Sequence, residues 1–238
     1  MKYIDDFRCG RLAGALRERI AAEVEPERTY RLMEFCGGHT HAIFRFGLAD
    51  LLPPNVEMVH GPGCPVCVLP MARIDMAIEL AMRPGVVLCS YGDMLRVPGS
   101  KRRSLLRAKA EGADVRMVYS AADALAVARA EPACEVVFFA IGFETTTPPT
   151  AVALAQARAE GLSNFGVFSN HVLTPPAIRT ILGDPAGAAI DGVLGPSHVS
   201  VVIGADAYRF VAEDFGVPMV IAGFEPLDVL QSILMLIR

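Results

Sequence analysis

Cys64 and Cys67 stand three positions apart in "HGPGCPVC" (60–67), at the end of an apolar run. A Cys-x-x-Cys pair there suits dithiol redox chemistry, because a helix N-terminus lowers the pKa of one thiol. It also supplies half of a four-ligand metal site, and "CGGHTH" (36–41) offers the other half as Cys36-x-x-His39. A structural, metal-free pair is the third reading. Cys36 opens a Gly-Gly step and stands apart from Cys89 and Cys134. Those two fall in or at the start of apolar strands, where a buried, inert thiol is expected. Cys9, in the N-terminal arm, carries no assignment.

Among the histidines, His39 faces the candidate metal loop. His198, in "GPSHVS" (195–200), follows a turn stiffened by Pro196 and is the candidate acid, base or proton relay. Asp93 and Glu144 are candidate partners for these imidazoles, or else turn and cap residues. His41 already enters a helix, His60 orients the Gly-Pro turn, and His171 ends a strand. Gly37-Gly38 and Gly61-x-Gly63 permit turns that bring backbone N–H groups close to a bound group. "CGGHTH" has neither phosphate-loop nor dinucleotide-fingerprint spacing, so nucleotide binding is not expected.

Apolar runs that alternate with helical stretches must carry these groups. Strands are expected in "YRLMEFC" (30–36), "VEMVHG" (56–61), "VVLCSYG" (86–92), "VRMVYS" (115–120), "EVVFFAIG" (135–142), "FGVFSNH" (165–171), "GVLGPSH" (192–198) and "PMVIAGF" (218–224). Several are apolar on both faces, as buried parallel strands are. Between them, Met71, Ile74, Ile78 and Ala81 make one helical stripe, Ser120 and Asp123 suit a capping box, and Pro148-Pro149 suit a first helical turn that leads to a stop at Gly161. Every histidine falls at or beside a strand end, where open parallel sheets bind ligands.

The fifth strand begins about a hundred residues after the first, and "VYSAADALAVA" resembles "IAGFEPLDVLQSI". The expected fold is therefore α/β, with two similar small parallel-sheet (Rossmann-like) domains facing a shared cleft. The expected boundaries are a helical arm over 1–30, a first domain over 31–133 and a second over 134–238. One closed eight-stranded barrel is the alternative. The last helix, "DVLQSILMLIR", stops without a cap, and the chain reads as cut there. Ile233, Leu234, Leu236 and Ile237 are expected to form an exposed apolar patch that needs outside cover and lowers solubility.

Composition sets the class. The 238 residues are 53% apolar and 20% charged, with a net charge of -4, which offers no basic field for nucleic acid. The N-terminus lacks signal-peptide order and no run is long enough to span a bilayer, so no membrane association is expected. Six unevenly placed cysteines suit a reducing compartment, and a cytoplasmic protein is expected.

"FCGGHTH", "HGPGCPVC", "CSYGDMLRVPGS", "AIGFETTTP" and "SNHVLTPPA" closely resemble the HypD family of hydrogenase maturation proteins, in the expected order and over essentially the whole chain. That resemblance implies a scaffold on which the Fe(CN)2CO group of [NiFe] hydrogenases is assembled together with HypC. Cyanide would arrive from HypE, supplied by HypF, and the finished group would pass toward the hydrogenase large subunit. By motif, Cys36 is the iron-holding cysteine, and Cys64 and Cys67 are either further iron ligands or a redox dithiol. His39, His198 and Asp93 match the family's other functional positions. Members of the family continue into a region whose cysteines hold a [4Fe-4S] cluster, and the six cysteines here are not expected to provide its ligands. A thiol–disulfide oxidoreductase working through Cys64 and Cys67, or a zinc-stabilised binding module, are the rival functions.

Overall fold

The computed structural model describes residues 4–187 and 189–238. Among the described residues the strands are β1 (Tyr30–Glu34), β2 (Val56–His60), β3 (Val86–Ser90), β4 (Asp114–Met117), β5 (Glu135–Gly142), β6 (Phe165–His171), β7 (Gly192–Pro196) and β8 (Met219–Ala222). The helices are α1 (Gly10–Glu23), α2 (Gly37–Phe46), α3 (Pro65–Val68), α4 (Met71–Ala81), α5 (Leu105–Ala110), α6 (Ala121–Ala130), α7 (Thr147–Ala159), α8 (Thr174–Leu182), α9 (Ser197–Ile203), α10 (Arg209–Phe215) and α11 (Pro226–Ile237). All eight expected strands form, and they make two four-stranded parallel sheets rather than one closed barrel.

The expected division at 133/134 is corrected. One compact unit comprises Met1–Cys64 with Leu173–Arg238, and the other comprises Pro65–Val172. The first sheet runs β2-β1-β7-β8 and the second β4-β3-β5-β6. Counted within its own unit, each has the order second-first-third-fourth, so the repeat is real but nested. The second unit is inserted between the second and third strands of the first. Local pattern could not reveal this, because a strand apolar on both faces suits any parallel neighbour. The likeness of "VYSAADALAVA" to "IAGFEPLDVLQSI" is one of cap chemistry. Ser120 with Asp123, and Glu225 with Asp228, each close a capping box.

Inside the inserted unit the period of two is plain. Val86 and Leu88 of β3 and Val137, Phe139 and Ile141 of β5 pack under α4 and α5. Val87, Cys89, Val136, Phe138 and Ala140 face α6 and α7. In the outer unit Met33, Phe35 and Val193 meet Ile178 of α8 and Val211 of α10. Tyr30, Leu32 and Leu194 meet α2 and α11 on the other face.

The expected apolar patch is also corrected. Ile233, Leu234, Leu236 and Ile237 are all buried, in one cluster with Ile20 of α1 and Ala42 and Ile43 of α2. Helix α1 lies against α11 and supplies the cover from within this chain. The side chains that α11 exposes are Gln231 and Met235, the latter its one exposed apolar residue. Among the described residues no helix is long and apolar enough to cross a membrane.

Candidate functional site

In the sheet of the first unit the chain leaves β1 toward β2 and leaves β7 toward β8, so the strand order switches between β1 and β7, the place where open parallel sheets bind ligands. Cys36 follows β1 and His198 follows β7. The Cys36 Sγ lies 3.9 Å from His198 Nδ1, within reach of a sulfur hydrogen bond. Cys36 is the N-cap of α2, and its Sγ accepts a hydrogen bond from the Gly38 N–H at 3.3 Å. Burial pushes the thiol pKa up, the Gly38 N–H pulls it down, and nearby Glu34 pushes it up again. The net direction is upward, so a metal that takes Cys36 as thiolate must displace its proton.

Gly37 and Gly38 were expected in a turn, but they form the first turn of α2. The Gly37 N–H donates to the Gly63 carbonyl at 3.0 Å, and the Gly61 N–H donates to the Glu34 carbonyl at 2.9 Å. A methyl group at Gly63 would meet the Gly37 nitrogen at 2.9 Å. The loops after β1 and β2 can therefore lie backbone on backbone only with glycine there.

Glu34 was not anticipated as a site residue. Its side chain is fully buried at the end of β1, on the face that carries Tyr30 and Leu32. One carboxyl oxygen accepts from the Cys36 N–H at 3.0 Å. The other accepts from the Thr40 hydroxyl of α2 and faces His60 Nδ1 at 2.8 Å. Glu34 thus ties the Cys36 turn, the first turns of α2 and the end of β2 to one point. The available signal was an acidic residue closing an otherwise apolar strand, "YRLME".

His39 is fully buried. Its Nε2 lies 3.2 Å from the Ala222 carbonyl and 3.1 Å from that of Gly223, so Nε2 carries the proton and donates. Its Nδ1 is buried without a hydrogen-bond partner. The ring packs on Phe224 at 4.8 Å between centroids, and His198 packs on the same ring at 5.4 Å. His39 therefore ties α2 to the end of β8.

Burial lowers the His39 pKa below its ordinary 6.5, against the opposing pull of the Ala222 carbonyl. A folded-state pKa below the unfolded one gives stability that is complete above 6.5 and is lost as pH falls through the lowered value. His171 shifts in the same direction through burial. The urea midpoint is accordingly expected to fall between about pH 7.5 and about pH 5.5. The fall should be smaller in His39→Gln; an equal fall in both would exclude His39 as a source.

The remaining sequence candidates lie elsewhere. Cys64 is half-buried and directly precedes the single turn of α3, which carries the exposed Cys67 in the inserted unit. Asp93 is exposed in that unit and caps a short 3-10 helix by accepting from the Met94 N–H at 2.9 Å, so it serves as a cap. Glu144 is buried in the turn between β5 and α7. His171 is held by Thr146 and Thr150 of that region at 3.4 and 3.1 Å. His41 is exposed on α2. Cys89 is fully buried with its pKa raised to about 11, an inert thiol as expected. None of the six cysteines is in a disulfide. Among the described residues no three His, Cys, Asp or Glu side chains are grouped to hold a metal ion. Cys36, His39, Cys64 and Cys67 do not form such a group.

The HypD family model, described as "Hydrogenase formation hypA family", matches residues 11–238. The whole chain is 64% identical to the "Hydrogenase maturation factor HypD" of Azotobacter vinelandii and covers 64% of that protein. It is 63% identical to the protein of that name from Rhizobium leguminosarum bv. viciae, covering 63% of it, and 54% identical to that of Escherichia coli (strain K12), covering 65%. The chain thus spans a little under two thirds of the length of the curated relatives it matches. Cys36 lies in "FCGGHTH", one of the motifs that resemble the family's, and the chain belongs to the HypD family.

Proposed function

We propose that this chain acts in hydrogenase maturation as the iron-holding part of a scaffold for the Fe(CN)2CO group, with Cys36 as the protein's own thiolate ligand. The observation that carries this reading is the placement of Cys36 Sγ at a strand-order switch point, 3.9 Å from His198 Nδ1. A soft thiolate suits iron that already carries cyanide and carbon monoxide. The partner protein HypC would share the metal through a thiol of its own, and HypE, fed by HypF, would deliver cyanide on a thiol as R–S–CN. The hydrogenase large subunit would receive the product.

Release of cyanide from that carrier consumes two electrons, R–S–CN + 2e⁻ → R–S⁻ + CN⁻. Closing a disulfide between Cys64 and Cys67 would provide both and free two protons. Neither residue is in a disulfide, and Cys67 is exposed. His198, beside Cys36, would take the proton that the thiol loses when iron binds.

Iron per chain, measured after anaerobic co-purification with HypC, tests this. Cys36→Ala is expected to lower it about tenfold or more. Full retention of iron would remove Cys36 from the metal. Turnover of a generic disulfide substrate that disappears in Cys64→Ser would instead favour the oxidoreductase reading.

A further inference from the structure

Phe224 does none of the chemistry just described, yet the structure determines its place from four sides. His39 Nε2 donates to the carbonyls of Ala222 and Gly223, which fixes the chain immediately before it. Glu225, immediately after it, receives both arms of the Arg8 guanidinium at 2.5 and 2.7 Å. Glu225 also closes the capping box of α11 with Asp228. Beneath the ring lies Gly38, where a methyl group would meet Phe224 at 2.7 Å. A side chain wedged in this way has little freedom to turn.

What the wedge touches is informative. The ring packs on His39 on one side and on His198 on another. The His198 ring therefore has an aromatic wall at 5.4 Å and the Cys36 sulfur 3.9 Å from its Nδ1. The second position of α9, a helix of only seven residues, does not by itself select one rotamer for an imidazole. We propose that Phe224 is a positioning residue: it holds the His198 imidazole toward Cys36, so that the histidine acts on the thiol only while the aromatic ring is in place. This rests on the Cys36–His198 pair being the working site, as proposed above.

The test uses the metal-free chain and the rate at which iodoacetamide alkylates Cys36, followed by peptide mass spectrometry at neutral pH. Four proteins are compared: the parent, His198→Ala, Phe224→Ala and the double variant. Removal of a wall also changes access to the thiol, so single rates are ambiguous and the coupling between the two substitutions is the readout. His198→Ala is expected to slow alkylation about fivefold when Phe224 is present and less than about twofold when it is absent. A purely structural role for Phe224 would leave the His198 effect the same in both backgrounds, and that result overturns the proposal. So does a parent chain whose Cys36 reactivity ignores His198. Loss of the fold in the Phe224→Ala chain is checked by its urea midpoint. If that chain does not fold, Phe224→Leu, which keeps apolar cover without the aromatic ring, takes its place with the same expectation. Iron retention in Cys36→Ala would sink the scaffold reading but leave this coupling intact, so the two failures are distinguishable.

Discussion

Glu34→Ala is expected to lower the unfolding free energy by about 3 kcal/mol or more, because it strips one acceptor from three donors at a buried point. The Cys36 N–H, the Thr40 hydroxyl and the His60 ring all converge on this carboxyl group. Glu34 itself is fully buried, so water does not replace the lost partner without entering the core. Urea unfolding followed by circular dichroism measures the change. Glu34→Gln keeps a carbonyl acceptor and the side-chain volume, and should cost distinctly less. A loss below about 1 kcal/mol in the alanine variant would show that these bonds are replaced at little cost. Cys36 should also become mobile in Glu34→Ala, since the carboxyl group holds the turn from which the thiol projects.

A comparable loss, about 2–5 kcal/mol, is expected for Leu234→Ala. Leu234 is completely buried in the cluster that joins α1, α2, α11 and the outer sheet. The substitution removes three carbons from a close-packed region that can relax only in part. Met235, the next residue, is 53% exposed, and Met235→Ala should stay within about 0.5 kcal/mol of the parent. Equal, small effects at both positions would mean that α11 is a loosely attached helix with an exposed face. An apolar patch in need of outside cover was the expectation from sequence, and the structure replaces it with a helix that α1 and α2 cover.

The contrast between these two sites shows what was readable. The eight strands announced themselves by apolar runs, and the capping box at Ser120 and the stop at Gly161 followed from local chemistry. Cys36 stood out because it opens a Gly-Gly step, and His198 because it follows Pro196 at a strand end, where open parallel sheets bind ligands. Glu34 and Phe224 did not stand out. An acidic residue in a strand and an aromatic one in a loop are ordinary locally, and their roles exist only through partners far along the chain. His39 was legible as unusual, but the carbonyls of Ala222 and Gly223 that hold its Nε2 are 183 and 184 residues away, beyond the reach of local pattern.

By itself, then, the sequence determined the class of fold, the positions of its strands and of about half its helices, the thiol and imidazole motifs and the family they resemble. These depend on side-chain periodicity, caps and motif spacing, all of which act within a few turns of chain. Only the tertiary structure decided which strands pair, and hence that one unit is inserted in the other. It also decided that Cys36 meets His198 across 162 residues, and that α1 covers α11. Parallel strands apolar on both faces are interchangeable at the level of pattern. Their order is chosen by the sum of packing over the whole unit, and no local segment carries that sum.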